Sequence, residues 1–151
     1  MRLFSFAAAV ALVAFGGGYM GAQLSAQPLV IARSDQDLRS QARRMSYEPL
    51  ARQPDKFAGA VVMLRGKVID VVDDGKDVVL RVNITQDVSS WKDTVSVSYR
   101  RRAGAEARIQ RDDTVRLWGT FVGIESDAAA SGVPLQIPHV IAQIVETMRK
   151  T

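Results

Sequence analysis

Arginine side chains are the most concentrated group in this sequence that could bind a ligand. Arg100, Arg101 and Arg102 are consecutive, and the stretch from residue 100 to residue 116 holds six arginines against three acidic residues. Guanidinium groups bind phosphates and carboxylates through paired hydrogen bonds. This local excess of positive charge predicts either an edge that binds an anionic lipid, glycan or polymer, or a solvated loop at the end of a strand.

Residues that could form a catalytic or metal site are scarce in the sequence. It has no cysteine, which excludes thiolate nucleophiles, disulfides, cysteine-bearing zinc sites and acylation at a lipobox. His139 is the only histidine, and a structural or solvated role is expected for it. The adjacent carboxylates at 73–74 and 112–113 occur in turn signals, whereas general acid–base catalysis needs a buried pair with shifted pKa values. The sequence therefore predicts no enzyme, no metal site and no cofactor.

Two strands with alternating side chains are expected to position the arginine cluster. Residues 78–85 and 95–100 alternate between apolar and mostly polar side chains, which is typical of strands with one buried face. Thr85 and Ser96 are expected on the outward face, and the loop 87–93 is expected to connect the two strands. The candidate ligand site consists of outward side chains, the arginine cluster and one loop tryptophan: Arg81, Asn83, Ser98, Arg100, Arg101, Arg102 and Trp91.

The remaining pattern predicts a small barrel preceded by short helices. Ser34 starts a helix with apolar residues at Leu38, Ala42 and Met45, and Pro54 ends a second short turn. Further strands are expected at 61–72, with a bulge or bend at Gly66, and at 115–121 and 133–147, with a loop over 126–132. Five strands and a bent first strand favour a mainly β, five-stranded OB-fold-like Greek-key barrel, with an SH3-like barrel or a small sandwich as alternatives.

The N-terminal segment predicts export from the cytoplasm. Residues 1–26 begin with a single positive charge at Arg2, followed by an apolar run over 3–15 that matches a signal peptide. Read on to Leu24, the segment is long enough for an uncleaved membrane anchor. The expected organisation is a signal or anchor over 1–26, a linker and helix over 27–46, and the barrel over 47–148, located in the periplasm or tethered outside the membrane.

Four blocks of the sequence resemble a family of exported OB-fold-like modules found in bacterial envelope and secreted proteins. They are YEPLARQPDKFAG at 47–59, GKVI at 66–69, DTVRLWGT at 113–120, and Ile137-Pro138 followed by Ala142. This family is related to domains described as tRNA-anticodon-binding-like. The resemblance implies the barrel fold, but it implies no activity, because fold similarity does not transfer function.

These features favour a non-enzymatic binding or adaptor module at the cell envelope. The expected partner is an envelope protein or an anionic polymer or lipid, contacted through the second and third strands and the arginine cluster, with membrane contact through the N-terminal segment if it is uncleaved. The alternative is a structural or assembly subunit of an envelope complex. Nucleic acid is a distant alternative, because the strand face lacks stacking aromatics and only Trp91 and Trp118 are available nearby.

Overall fold

The computed structural model describes residues 34–102, 107–128 and 132–149. The segment 1–26, predicted to be a signal or anchor, lies outside these residues. Within the described ranges, no helix is long and apolar enough to cross a membrane. The helices are α1 (Asp35–Gln41), α2 (Tyr47–Arg52) and α3 (Pro54–Phe57), and the strands are β1 (Arg43–Arg44), β2 (Val61–Asp73), β3 (Asp77–Gln86), β4 (Trp91–Arg100), β5 (Thr114–Ala128) and β6 (Pro134–Thr147).

Five of the strands close into a barrel. Their order is β2, β3, β4, β6, β5, and β5 pairs back onto β2. The β4–β6 pair is parallel, whereas the other barrel pairs are antiparallel. This arrangement is the Greek-key barrel of the OB-fold, so the predicted fold class is confirmed. A sixth strand, β1, adds in parallel to the edge of β2 through Arg43 and Arg44.

The barrel core is built from alternate residues of every long strand. On β3, Val78, Leu80 and Val82 are at most 1% exposed, which confirms the predicted inward face. Val95, Val97 and Tyr99 occupy the same positions on β4. The largest fully buried side chains are apolar: Phe121, Leu50, Leu64, Leu80 and Leu117, followed by Val62, Val68, Val78, Val82, Val95, Val97 and Val115. Without a disulfide, this core holds the fold.

The bend predicted at Gly66 lies further along β2. The pairing register between β2 and β3 shifts between Val68 and Asp70, which places the irregularity there. Gly66 instead permits a close approach of the two strands, because a Cβ at this position would overlap the carbonyl oxygen of Asn83. The Asp73–Gly75 turn is confirmed, with Gly75 at φ +101° and its N–H donating to Asp73 Oδ1 at 2.8 Å.

The helical extension begins as predicted and then departs from the prediction. Ser34 caps α1, because its Oγ accepts a hydrogen bond from the Asp37 N–H at 3.1 Å. Leu38 then packs in a small second core with Trp118 and Ile144. The helix ends at Gln41, so the prediction that Met45 shares its apolar face is wrong.

Three further boundaries differ from the prediction. Pro54 starts α3 instead of ending a turn, because the first helical position needs no N–H donor and suits proline. Trp91 belongs to β4, where it pairs with Gln86, and not to the connecting loop. Ser126 belongs to β5, where it pairs with Gln136, so this strand is longer than the alternation indicated.

Candidate functional site

The three consecutive arginines bind three different carboxylates. Arg100 donates from Nε to Asp77 at 2.8 Å. Arg101 donates to both carboxylate oxygens of Asp73, at 3.2 and 2.6 Å. Arg102 makes a paired contact with Asp35, at 2.8 and 2.7 Å, which ties α1 to the end of β4. The cluster is therefore spread over three ion pairs on the protein's own surface and does not form a single edge of free positive charge.

The Arg101–Asp73 pair connects the end of β4 to the hairpin between β2 and β3. The two side chains are only 13% and 18% exposed. Arg101 also donates to the carbonyl oxygen of Gly75 at 3.1 Å. The hydrogen bonds from Arg101 are the main cause of a lowered pKa at Asp73, and the Gly75 N–H adds to it. These contacts indicate a structural role for Arg101.

We expect acid to destabilise the domain through Asp35, Asp73 and Asp74. Each pKa lies below its ordinary value, because of hydrogen bonds from Arg102 at Asp35, from Arg101 at Asp73, and from backbone N–H groups at Asp74. A lowered carboxyl pKa stabilises the folded state above the unfolded value of about 4, and this contribution is lost as the pH falls through the folded value. Urea unfolding measured between pH 7 and pH 2 should therefore show a falling midpoint below about pH 4.

Arg101→Gln isolates the contribution of Asp73 to this acid sensitivity. The variant removes the main cause of the lowered pKa, so its unfolding free energy should fall less steeply with acid than that of the parent protein. Arg111→Gln is the matched control, because Arg111 pairs with Asp70 in an exposed contact that contributes little. An unchanged slope in Arg101→Gln would contradict the structural role of the pair.

The Asn83 side chain forms hydrogen bonds that hold the backbone of Trp91 in place. Its Nδ2 donates to the Trp91 carbonyl oxygen at 3.1 Å, and its Oδ1 accepts from Thr94 Oγ1 at 2.8 Å. Arg81 on the same strand is half-buried and makes contacts of its own. Ser96 was expected on the exposed face but is only 5% exposed, because the parallel strand β6 places His139 directly opposite it.

A groove at the end of β3 collects two arginines and a tryptophan. This Arg–Trp groove has a volume of about 310 Å³ and is lined by Arg44, Arg65 and Trp91, together with Met45, Ser46, Ile84, Thr85 and Gln86. Arg44 and Arg65 are exposed, and Trp91 is half-buried. Within the described part of the chain, neither arginine has an acidic partner. The groove therefore combines free positive charge with an aromatic wall.

The seven predicted site residues do not form one site. Trp91 lines the Arg–Trp groove, whereas Ser98 and Arg100 line a second groove at the other end of β4. Arg44 and Arg65 were not predicted as site residues. Arg65 lies between Leu64 and Gly66, which are both buried, so the alternation of β2 could have placed its side chain outside the barrel. The position of Arg44 depends on the pairing of β1 with β2, and no sequence pattern indicated that strand.

The second groove brings together side chains that the sequence analysis treated separately. His139 Nε2 lies 3.3 Å from Ser98 Oγ, and His139 Nδ1 lies 2.8 Å from Glu125 Oε2. The His139 side chain is 16% exposed. The structural or solvated role expected for His139 stays a prediction, because the ring contacts side chains of two other strands and also borders the groove.

No protein-family model matches the chain, and a search of curated proteins finds no match. The family suggested by the four sequence blocks therefore stays a prediction. Solved structures with a similar fold include an aspartyl-tRNA synthetase from Entamoeba histolytica, with 12% identity and a TM-score of 0.49. The match covers 70% of this chain and 21% of the synthetase.

Two smaller proteins are also similar in fold. A small single-stranded DNA-binding protein from Streptomyces coelicolor is 16% identical, with 60% of this chain and 94% of that chain covered at a TM-score of 0.44. The OBody AM3L09, in complex with hen egg-white lysozyme, is 14% identical, with 72% and 98% covered at a TM-score of 0.47. The chain spans about a fifth of the synthetase and nearly all of these two proteins. At such identities the likeness concerns the fold and not the function.

Proposed function

We propose that this protein is a binding module that holds single-stranded nucleic acid in the Arg–Trp groove. The observation that supports the proposal is that Trp91 lines the same groove as Arg44 and Arg65, which have no acidic partner among the described residues. Single-stranded nucleic acids are bound by grooves in which cationic side chains follow the phosphates and aromatic rings stack on the bases. The groove volume of about 310 Å³ is at the lower end of the range for ligand clefts.

The groove is better suited to this ligand than the predicted arginine cluster. Arg100, Arg101 and Arg102 already donate to carboxylates of the protein, so binding an external anion would first break those contacts. Arg44 and Arg65 have no such contact to break within the ranges that the structure describes. Asn83 fixes the backbone of Trp91 through its hydrogen bond, which limits the ordering cost of presenting the indole ring.

An envelope address for this module is a separate proposal. It depends on residues 1–26, which lie outside the described residues. The same segment determines whether the protein has a cleaved signal peptide or an uncleaved anchor. An envelope adaptor that binds an anionic polymer without bases would use the arginines of the groove but would not need the Trp91 ring. The polymer that binds therefore distinguishes the two functions.

Binding of a fluorescent deoxythymidine oligonucleotide tests the proposal. Fluorescence anisotropy should show binding at low salt, with an affinity that falls as salt rises. The Arg44→Gln/Arg65→Gln double variant should bind more weakly, with a log–log salt slope shallower by roughly 1.4, since each phosphate contact to a single strand contributes about 0.7. Trp91→Ala should weaken binding by about 5- to 150-fold, because stacking is worth about 1–3 kcal/mol per base.

Two controls make the test specific for a nucleic acid and for this groove. Arg111→Gln removes an exposed arginine that lies in an ion pair outside the groove, and it should bind like the parent protein. Polyphosphate should bind less tightly than the oligonucleotide, because it offers charge without bases. Equal binding of polyphosphate, or binding that survives both the double variant and Trp91→Ala, would overturn the proposal.

A further inference from the structure

Three polar side chains on adjacent strands form an ordered array at the second groove. Ser98 on β4, His139 on β6 and Glu125 on β5 are joined by contacts of 3.3 Å, from Ser98 Oγ to His139 Nε2, and 2.8 Å, from His139 Nδ1 to Glu125 Oε2. A hydroxyl that contacts an imidazole, which in turn contacts a carboxylate, is the arrangement of a catalytic triad. The hydroxyl is the nucleophile, the imidazole is its general base, and the carboxylate orients the imidazole. We call them the Ser98–His139–Glu125 array.

The strand pairing of the barrel sets this arrangement. His139 lies opposite Ser96 in the parallel β4–β6 pair, so Ser98 is its diagonal neighbour on the same face. On the other side, His139 lies opposite Gly123, and Glu125 is two residues further along β5. The three side chains are therefore held by a hydrogen-bonded sheet and not by loops, which favours a fixed geometry.

The two ring nitrogens of His139 face different groups. His139 Nδ1 is fully enclosed and faces the carboxylate of Glu125, but no aligned hydrogen bond to it exists among the described residues. Catalytic hydrogen bonds are often poorly aligned in unliganded proteins and tighten when substrate binds. With the proton on Nδ1, which lies 2.8 Å from Glu125 Oε2, the lone pair of Nε2 is left to accept the Ser98 hydroxyl proton.

The second groove offers room and suitable walls for a small acyl group. It has a volume of about 350 Å³, and Ser98 and His139 line it with Val79, Ile141 and Arg100. Val79 and Ile141 are 41% and 47% exposed, which provides an apolar surface. Arg100 also borders this groove, where its guanidinium is paired with Asp77 at 2.8 Å.

We propose that Ser98 is an activated nucleophile that accepts the acyl group of small uncharged carboxylic esters. Ser98 Oγ bonds to the carbonyl carbon while its proton moves to His139 Nε2. The bond from that carbon to the alcohol oxygen then breaks, and the alcohol takes the proton from Nε2. Water hydrolyses the acyl-serine with His139 again accepting a proton, which releases the carboxylic acid and restores Ser98. Glu125 is a positioning residue in this scheme.

A fluorophosphonate probe tests the nucleophile directly on the full chain. Attack by Ser98 Oγ forms an oxygen–phosphorus bond and releases fluoride, and peptide mass spectrometry locates the adduct. Ser98 should be labelled at least about 100-fold faster than Ser90, an exposed serine in the β3–β4 turn that serves as an internal control. Incubation with p-nitrophenyl acetate should place an acetyl group on the same serine.

Variants of the array separate activation from a merely structural hydrogen bond. His139→Gln should slow labelling of Ser98 by about 100- to 10,000-fold, the usual contribution of a general base. Glu125 is half-exposed, so Glu125→Gln should leave the melting temperature unchanged while slowing labelling, and Glu125→Asp should restore part of the rate. Arg111→Gln should label like the parent protein.

Labelling of Ser98 at the rate of Ser90 would overturn the proposal. Labelling that is equally fast in His139→Gln and Glu125→Gln would overturn it too, because the serine would then react without the array. Neither result bears on the Arg–Trp groove, since oligonucleotide binding is measured in the absence of the probe and the two grooves share no lining residue.

Discussion

Phe121→Ala is expected to lower the free energy of unfolding by about 3–5 kcal/mol, the usual cost of removing a buried phenylalanine. Phe121 is the largest fully buried side chain of the described core, with no exposed surface. Its backbone also anchors the helical extension, because its N–H donates to the Ala60 carbonyl at 2.9 Å and its carbonyl accepts from the Gly59 N–H at 2.8 Å. The truncation therefore opens a cavity where the two parts of the domain meet.

Urea unfolding followed by circular dichroism measures this loss. Val122→Ala is the matched control, because the neighbouring side chain points outward, is 49% exposed, and should cost no more than about 0.5 kcal/mol. We expect a clear separation of the two unfolding midpoints. Similar midpoints for both variants would mean that the register of β5 against the core is wrong.

The strand alternation predicted the fold because a barrel buries one face of each strand. Val78, Leu80 and Val82 face the core as expected, and this register also placed Asn83 outside. The same alternation could not show that Asn83 is engaged, because its partners are the Trp91 carbonyl and Thr94 on the next strand. Asn83→Ala should therefore be destabilising, because it removes the hydrogen bonds to the Trp91 carbonyl and from Thr94.

The carboxylates that pair with the arginine cluster lie far from it in the sequence, so a local pattern of residues does not reveal them. Arg102 meets Asp35 across 67 residues, and Arg101 meets Asp73 across 28 residues. A local count of charges between residues 100 and 116 gave an excess because the neutralising carboxylates lie elsewhere in the chain. The count was correct for the segment and misleading for the folded surface.

The two grooves could not be predicted for the same reason. Arg44, Arg65 and Trp91 meet because β1 adds to β2 and β4 begins beside the end of β3. Ser98 and His139 are 41 residues apart and meet only because β4 and β6 pair in parallel. The sequence supplied the strands and their inward faces, whereas the sites depend on the order of the strands around the barrel.

Gly119→Ala should destabilise the protein by more than about 3 kcal/mol, because it inserts a methyl group where the backbones of β5 and β6 meet. A Cβ at this position would overlap the carbonyl oxygen of Ile141 and lie 2.7 Å from the Cα of Ala142. Both are backbone atoms in the strand that pairs with Gly119, so no side-chain rotation relieves the overlap. The register of this pair already shifts between Trp118 and Gly119, which places the glycine at an irregular point of the β5–β6 pairing.

The matched control for this substitution is Gly75→Ala in the turn between β2 and β3. Both changes remove the same backbone freedom from the unfolded chain, but a Cβ at Gly75 meets no atom of the described residues within 4 Å. Its cost arises from the positive φ of +101° and should be about 1–2 kcal/mol. Thermal and urea unfolding should therefore rank Gly119→Ala well below Gly75→Ala in stability. A ranking in the opposite order would show that β5 and β6 do not approach each other at Gly119 as closely as the barrel requires.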